Sequence, residues 1–174
     1  MPSPRLVTLT RHACAVGELL LGATEDALVY CGFQDLETVR ARICRAGLVE
    51  QQAPPGERQQ ELFARARREL DDYLAGRLTA FTLPLDLCLA TPFSRETALA
   101  LEKFVPYGHT ATYKELAEAL ARPRASRAVG TALGANPLCV LLPCHRILAS
   151  DGSLAGYAGG LDAKRFLLAL EDTA

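Results

Sequence analysis

The segment that most constrains the fold of this chain is residues 140–172, where a cysteine–histidine pair lies between an apolar run and a helix. Val140-Leu141-Leu142 precedes Pro143-Cys144-His145-Arg146, so we predict that Cys144 stands at the end of a buried strand. A glycine-rich turn at 156–160 follows, and then a helix that ends at Glu171 and Asp172. A thiol, a base to deprotonate it and a carboxylate to orient that base are the parts of a nucleophile site.

Two other interpretations of the pair follow from the residues alone. Cys144 could be a packing residue beside a structural histidine, which is the usual role of an intracellular cysteine. Cys139, Cys144 and His145 could instead bind zinc, although Cys139 and Cys144 lie in an apolar segment and no fourth ligand is nearby.

Size and composition indicate a packed protein of one large or two small domains. The chain has 174 residues, of which 49% are hydrophobic and 22% charged, so long disordered segments are not expected. The net charge of −1 argues against a protein that coats DNA electrostatically and favours a small contact surface. We see no signal peptide and no membrane-spanning run. We therefore expect a cytoplasmic protein with reduced cysteines, and we expect the five other than Cys144 to fill the core.

The first half of the chain predicts a small α/β domain over residues 1–88. Turn residues separate three strand candidates and favour antiparallel hairpins, with the strands at 6–9, 18–22 and 27–33. One helix follows Asp35, a suitable cap, and a second runs from Gln59 to Ala75 with Gly76 as its stop. Alternating apolar residues predict one more strand at 81–87, despite Pro84.

The second half, residues 89–174, predicts short helices joined by tight turns. Thr91 is a cap for a helix over 92–104, and Thr112 and Glu115 have capping-box spacing for a helix that ends near residue 122, before Pro123. A further short helix is predicted at 126–135. Two short helices joined by a turn form a helix-turn-helix, a common DNA-docking geometry.

Together these motifs resemble the O6-alkylguanine-DNA alkyltransferases, DNA-repair proteins that move an alkyl group from guanine O6 onto their own cysteine. Four blocks in order carry the resemblance: Pro106-Tyr107-Gly108 with Thr112-Tyr113, Arg127-Ala128-Val129-Gly130, Asn136-Pro137, and Pro143-Cys144-His145-Arg146 with the run 156–161, Lys164 and Glu171. The resemblance implies an N-terminal ribonuclease-H-like domain and a mostly helical, winged-helix-like C-terminal domain. The chain departs from many relatives at Phe93-Ser94 and Thr97-Ala98. It offers no convincing ligands for the zinc that some relatives carry, and no cofactor is expected.

The resemblance also implies roles for five site residues. Cys144 accepts the alkyl group in a single turnover, and His145, polarised by Glu171, helps to form its thiolate and lowers the pKa of the thiol. Because adjacent residues on an extended chain point to opposite sides, we expect His145 to reach the thiol through a water. Tyr113 protonates the leaving guanine and contacts the flipped base, and Asn136 links the recognition helix to the cysteine loop.

The implied partner is double-stranded DNA, approached from the minor groove by a monomer that does not associate with membranes. The damaged nucleotide must leave the base stack, and Arg127 fills the gap. Main-chain groups near Ile147 and Ala158 are expected to read the guanine edge. The remaining predicted contacts to DNA or base are Ser94, Ala125, Ser126, Ala128, Gly130, Ser150 and Tyr157. The alternatives are a non-catalytic protein that binds alkylated DNA and recruits repair factors, against which Cys144 counts, and a winged-helix regulator or cysteine hydrolase.

Overall fold

The computed structural model describes residues 4–172 and divides the chain into two compact units, the first ending at Leu89 and the second beginning at Ala90. Within the described residues, no helix has the length and apolar character needed to cross a membrane.

The first unit contains a four-stranded sheet in the order β3-β2-β1-β4. Its strands are β1 (Leu6–Cys14), β2 (Gly17–Ala23), β3 (Leu28–Gly32) and β4 (Val49–Glu50). The pairs β1–β2 and β2–β3 are antiparallel, which confirms the predicted hairpins, whereas β4 was not predicted and pairs parallel to β1. β4 therefore forms one edge of the sheet, through a pairing that the local sequence does not indicate.

The predicted strand at 81–87 is wrong. Only Leu85 forms a bridge there, to Leu28, through the Leu28 N–H to the Pro84 carbonyl and the Asp86 N–H to the Leu28 carbonyl, both at 2.9 Å. Pro84 has no N–H and so cannot continue a ladder.

Two helices complete the first unit, α1 (Leu36–Arg45) and α2 (Glu57–Leu74). Asp35 caps α1 by accepting from the Thr38 N–H, as predicted, and the chain leaves α2 through Gly76 at φ 74°. α2 packs against β1 and β2. A separate core cluster joins the sheet to α1 and is formed by Val7, Leu20, Val29, Tyr30, Val39, Ile43 and Leu48.

Up to residue 172, the second unit carries four α-helices, α3 (Pro92–Phe104), α4 (Tyr113–Ala119), α5 (Ser126–Gly134) and α6 (Leu161–Asp172). Two short strands, β5 (Ala111–Thr112) and β6 (Ile147–Leu148), pair in parallel. α5 packs against both α3 and α4, so α4 and α5 form the predicted helix-turn-helix. The Thr112–Glu115 capping box is present, but α4 ends three residues earlier than predicted because Ala121, at φ 58°, turns the chain before Pro123.

The segment before Cys144 is buried but is not a strand, so that prediction was wrong. Val140 has φ 70°, Cys139 bridges to Leu142, and the Leu142 N–H donates to the Leu138 carbonyl at 2.9 Å. An apolar run predicts burial, but it does not distinguish an extended chain from a tight irregular loop. Cys144 consequently opens a 3-10 turn that spans Cys144–Arg146.

Candidate active site

The histidine and carboxylate predicted for the site are in contact, and an arginine joins them. His145 Nε2 lies 2.6 Å from Glu171 Oε1, and Arg146 donates to the same carboxylate through Nε at 2.7 Å and Nη2 at 3.1 Å. Arg146 Nη1 also donates to the Val105 carbonyl at 3.0 Å, and its guanidinium lies 5.6 Å from the centre of the Tyr107 ring. Glu171, at the end of α6, therefore holds the 3-10 turn through two side chains, of which the sequence predicted only His145.

The electrostatic setting keeps His145 neutral. Burial lowers the pKa of His145 below its ordinary value, and this outweighs the opposing effect of Glu171, while Arg146 and Lys164 lower the pKa further. A carboxylate held by Arg146 can only accept hydrogen bonds, so His145 Nε2 must carry the hydrogen that it shares with Glu171. Nδ1 of the neutral ring is then the nitrogen able to accept a proton.

Cys144 is buried, with 6% of its surface exposed, yet its thiol is acidified. Its pKa is lowered first by a hydrogen bond from the Cys139 side chain; burial opposes this, and a hydrogen bond from Asn136 and the charge of Lys164 lower the pKa further. The predicted direction of the shift is therefore found, but its main causes are not the His145 and Glu171 that we expected.

The geometric premise for a water between Cys144 and His145 was also wrong, because the two residues lie in a 3-10 turn rather than on an extended chain. The water-mediated contact itself stays a prediction.

Lys164 is a buried cation behind the cysteine. It lies on α6 with no exposed surface, and its Nζ donates to the carbonyls of Ile147 at 2.7 Å, Gly156 at 3.3 Å and Leu154. Burial lowers the pKa of Lys164, and the neighbouring Cys144 opposes that effect. Lys164 thus supplies positive charge to Cys144 and ties the 147–156 loop to α6.

Cys144 opens into a pocket of about 340 Å³, a size typical of small-molecule sites. Five predicted site residues line it, namely Cys144, Tyr113, Gly130, Tyr157 and Ala158, together with three that were not predicted, Leu133, Gly134 and Gly156. The Tyr113 ring lies beside Gly130, where an added Cβ would be in ordinary van der Waals contact with the ring at 3.7 Å. Burial raises the pKa of Tyr113, so its hydroxyl keeps its proton at neutral pH.

Asn136 and Tyr157 each lie next to another residue of the site, Asn136 near Cys144 and Tyr157 against His145. Asn136 follows Ala135, the residue that caps α5, and its Oδ1 accepts from the Leu138 N–H at 3.0 Å. Within residues 4–172, the buried Asn136 Nδ2 has no hydrogen-bond partner, and the Asn136 side chain helps to lower the pKa of the neighbouring Cys144. The Tyr157 ring meets the His145 ring edge to face, with the centres 6.4 Å apart.

Two predicted contact residues have their groups engaged elsewhere. Ser94 is 6% exposed, and both its N–H and its hydroxyl bond the Thr91 hydroxyl at the start of α3. Ile147 has no exposed surface, its N–H donates to the Cys144 carbonyl, and its own carbonyl accepts from Lys164. These groups of Ser94 and Ile147 are engaged within the protein, and the contact of the two residues with DNA stays a prediction.

The remaining predicted contact residues lie on the surface. Arg127, Ala128, Ser150 and Ala158 are exposed, whereas Ala125 and Ser126 are partly buried. Arg127 stands in the first turn of α5. In the described part of the chain, no three His, Cys, Asp or Glu side chains are grouped so as to hold a metal ion, and this counts against the zinc interpretation of Cys139, Cys144 and His145.

Comparison with protein-family models gives two matches. Residues 8–87 match the ribonuclease-like domain of 6-O-methylguanine DNA methyltransferase, and residues 92–173 match the DNA-binding domain of the same family.

Relatives and solved structures agree with these matches. The methylated-DNA–protein-cysteine methyltransferase of Methanosarcina acetivorans is 38% identical over 90% of this chain and 92% of its own length. The corresponding protein of Methanosarcina barkeri is 47% identical over 64% of this chain and 70% of its own length. The crystal structure of Mycobacterium tuberculosis O6-methylguanine methyltransferase superposes with a TM-score of 0.78 at 35% identity, covering 96% of this chain and 93% of that one. Mycobacterium tuberculosis OGT in complex with DNA gives 0.73 at 34% identity, covering 97% and 93%.

Proposed function

Because the chain belongs to the methylated-DNA–protein-cysteine methyltransferase family, we propose that it repairs O6-alkylguanine in DNA by moving the alkyl group onto Cys144. The observation that carries the assignment to this residue is that Cys144 is an acidified thiol opening into a pocket of about 340 Å³ lined by two tyrosines. The first unit is the ribonuclease-like domain, and the second unit is the helical DNA-binding domain.

The transfer step is an in-line displacement at the alkyl carbon. The Cys144 thiolate forms the new S–C bond as the C–O6 bond breaks, and the bonding pair leaves with guanine. Guanine is a poor leaving anion, so the Tyr113 hydroxyl supplies a proton to it. The thioether on Cys144 is stable and no group in the site removes it, so each chain acts once.

Side chains around Cys144 help to form its thiolate. The charge of Lys164 and the Asn136 amide stabilise the sulfur anion, which burial alone would disfavour. Neutral His145 takes the thiol proton at Nδ1, because its Nε2 hydrogen is held by Glu171. Arg146 fixes the Glu171 carboxyl group in that position through two hydrogen bonds.

The partner is double-stranded DNA with the damaged nucleotide extruded into the pocket, which costs a few kcal/mol of stacking. Arg127 on the exposed first turn of α5 fills the vacated space, and the small residues Ala125, Ser126 and Ala128 allow close approach to the minor groove. Ala158 and Tyr157 contact the guanine from the glycine-rich turn. The protein acts as a monomer, and its six reduced cysteines are in keeping with the cytoplasm.

The test is transfer of labelled methyl from O6-methylguanine in duplex DNA to the protein, followed by peptide mass mapping. One methyl per chain should appear on Cys144. Cys144→Ala should transfer none yet still bind DNA, and Cys31→Ala, which removes a buried thiol of the first unit, should react as the unaltered protein does. Methyl on another cysteine, or repair by Cys144→Ala, would contradict the assignment. DNA binding without any transfer by the unaltered chain would instead support the non-catalytic alternative.

A further inference from the structure

The connection between α4 and α5 carries positive charge, although the whole chain has a net charge of −1. No acidic residue occurs in the sequence between Glu118 and Asp151. Arg122 and Arg124 lie in the connection and Arg127 in the first turn of α5, and all three are exposed. Because α4 and α5 form the helix-turn-helix, this charge lies on the kind of element that docks on DNA.

The main chain of Arg122 is held in place within that connection. Ala121 adopts a left-handed conformation at φ 58°, and the Arg122 N–H donates to the Ala117 carbonyl at 2.9 Å. The Arg122 carbonyl in turn accepts from the Ala125 N–H at 2.8 Å. The side chain of Arg122 therefore extends from a fixed point, just before the start of α5.

The Arg122 side chain contacts two residues of α3. Its Nη1 donates to Glu96 Oε2 at 2.7 Å, and its guanidinium carbon lies 5.0 Å from the centre of the Phe93 ring, which is within the range of a cation–π contact. The bond to Glu96 uses one of the five N–H donors of the guanidinium. The side chains of this ion pair are 47% and 46% exposed, so an anion from solution can reach the guanidinium.

Carboxylates and phosphates present arginine with the same arrangement, in which anionic oxygens accept parallel N–H bonds from the guanidinium. We propose that Arg122 binds a phosphate of the DNA backbone, and that in the free protein Glu96 occupies the place of that phosphate. This inference rests on the proposed function, because it names a further contact to the DNA. Glu96 thus competes with DNA for Arg122 and lowers the affinity of the protein for a duplex.

The exchange of partners is physically favourable. An exposed ion pair is weak and is screened by salt, so little is lost when Arg122 leaves Glu96. A phosphate contact instead releases a counterion condensed on the DNA, which is the main source of sequence-independent affinity. Phe93 contacts the face of the guanidinium and not its N–H edge, so it can stay in place while the anion changes.

A double-mutant cycle tests the proposal, with the dissociation constant for an undamaged duplex measured at several salt concentrations. Glu96→Gln should bind about two- to fivefold more tightly at low salt, because it releases Arg122 from an exposed pair. Arg122→Gln should bind more weakly, and the slope of log affinity against log salt should decrease in magnitude by about one. In the double variant, Glu96→Gln should give no gain over Arg122→Gln alone.

The exposed pair of Arg165 and Asp162 on α6 provides the matched control, with 2.9 Å between Nη1 and Oδ1. Asp162→Asn removes the same charge from the second unit, so it measures the general repulsion between an acidic side chain and DNA. The gain from Glu96→Gln should exceed that of Asp162→Asn, and it should vanish at high salt. All these side chains are exposed, and urea unfolding checks that each variant is folded.

Several results would overturn the proposal. Weaker binding by Glu96→Gln would mean that Glu96 orients Arg122 for DNA, and an equal gain with or without Arg122 would mean simple repulsion. Unchanged affinity and salt slope in Arg122→Gln would remove the phosphate contact. Methyl transfer is assayed separately. If the unaltered chain transfers no methyl from O6-methylguanine DNA but the cycle gives the expected pattern, only the repair function is refuted.

Discussion

Replacing Arg146 with methionine should destabilise the second unit by about 3–5 kcal/mol, because the substitution leaves the Glu171 carboxylate buried without its cationic partner. Methionine keeps most of the aliphatic length of arginine, so packing is altered little. What is removed is the pair of bonds to Glu171 at 2.7 Å and 3.1 Å and the bond to the Val105 carbonyl at 3.0 Å.

Burial sets the magnitude, and an exposed ion pair in the same unit provides the matched control. The Arg146 and Glu171 side chains are 8% and 2% exposed, whereas those of Arg122 and Glu96 are 47% and 46% exposed at the same 2.7 Å separation. Exposed pairs are worth about 0–1 kcal/mol, so Arg122→Met should cost no more than that. If distance alone mattered, the two substitutions would cost the same.

The assay is urea unfolding of each variant, with amide hydrogen exchange of peptides from residues 90–172 assigning the loss to the second unit. Adding Glu171→Gln to Arg146→Met should restore part of the stability, because the residue left behind no longer carries a charge. The reasoning would be refuted if Arg146→Met cost no more than Arg122→Met. It would also be refuted if the two substitutions at residues 146 and 171 lost stability additively.

Three further outcomes are expected. The folded-state pKa of His145 lies below its ordinary 6.5, so the unfolded chain takes up the proton first. The free energy of unfolding should therefore fall as pH drops below about 6.5, by up to about 1.4 kcal/mol per pH unit. Urea unfolding of His145→Gln at several pH values should show a shallower slope than the unaltered protein. Arg127→Ala should slow repair of duplex DNA more than reaction with free O6-benzylguanine in transfer assays, whereas Tyr113→Phe should slow both; equal slowing by Arg127→Ala would remove its role in extrusion. Methylation of Cys144 adds volume to a buried site and should lower the melting temperature, by the equivalent of about 1–3 kcal/mol, and a higher melting temperature would contradict this.

The features predicted correctly from sequence are those that neighbouring residues determine. The caps of α1, α3 and α4 are such features, because Asp35, Thr91 and Thr112 each bond an N–H three residues onward. The first three strands were predicted because their turns and apolar residues are contiguous. The end of α4 was predicted less accurately, because Ala121 adopts a left-handed conformation, at φ 58°, that is uncommon for alanine.

The errors arise where distant residues determine the conformation. β4 exists because it pairs with β1, some forty residues earlier in the chain, and a two-residue strand leaves no pattern of its own. The contacts of Arg146 and Lys164 likewise join residues far apart in the chain, since Arg146 bonds Glu171 and Lys164 bonds Ile147. Family resemblance located Lys164 and Glu171, but it did not indicate that Arg146 shares the carboxylate.

The burial of the cysteines was also predicted incorrectly from residue type. We expected five of them to fill the core, but Cys44 is exposed and Cys14 and Cys88 are only partly buried. Cys31 alone among the four in the first unit is fully buried. The residue type alone therefore did not predict which cysteines lie in the core.

The left-handed backbone at Val140 has a consequence for attempts to transplant this chemistry. A β-branched residue at φ 70° costs about 1–3 kcal/mol and persists only where the surroundings impose it. Here the surroundings include α6, through Lys164, and the end of α5, through Asn136. A synthetic peptide spanning residues 136–148 would lack Lys164 and would relax to ordinary backbone angles. Its cysteine would then have the acidity and reactivity of any solvated thiol, so the nucleophile belongs to the folded unit and not to the motif.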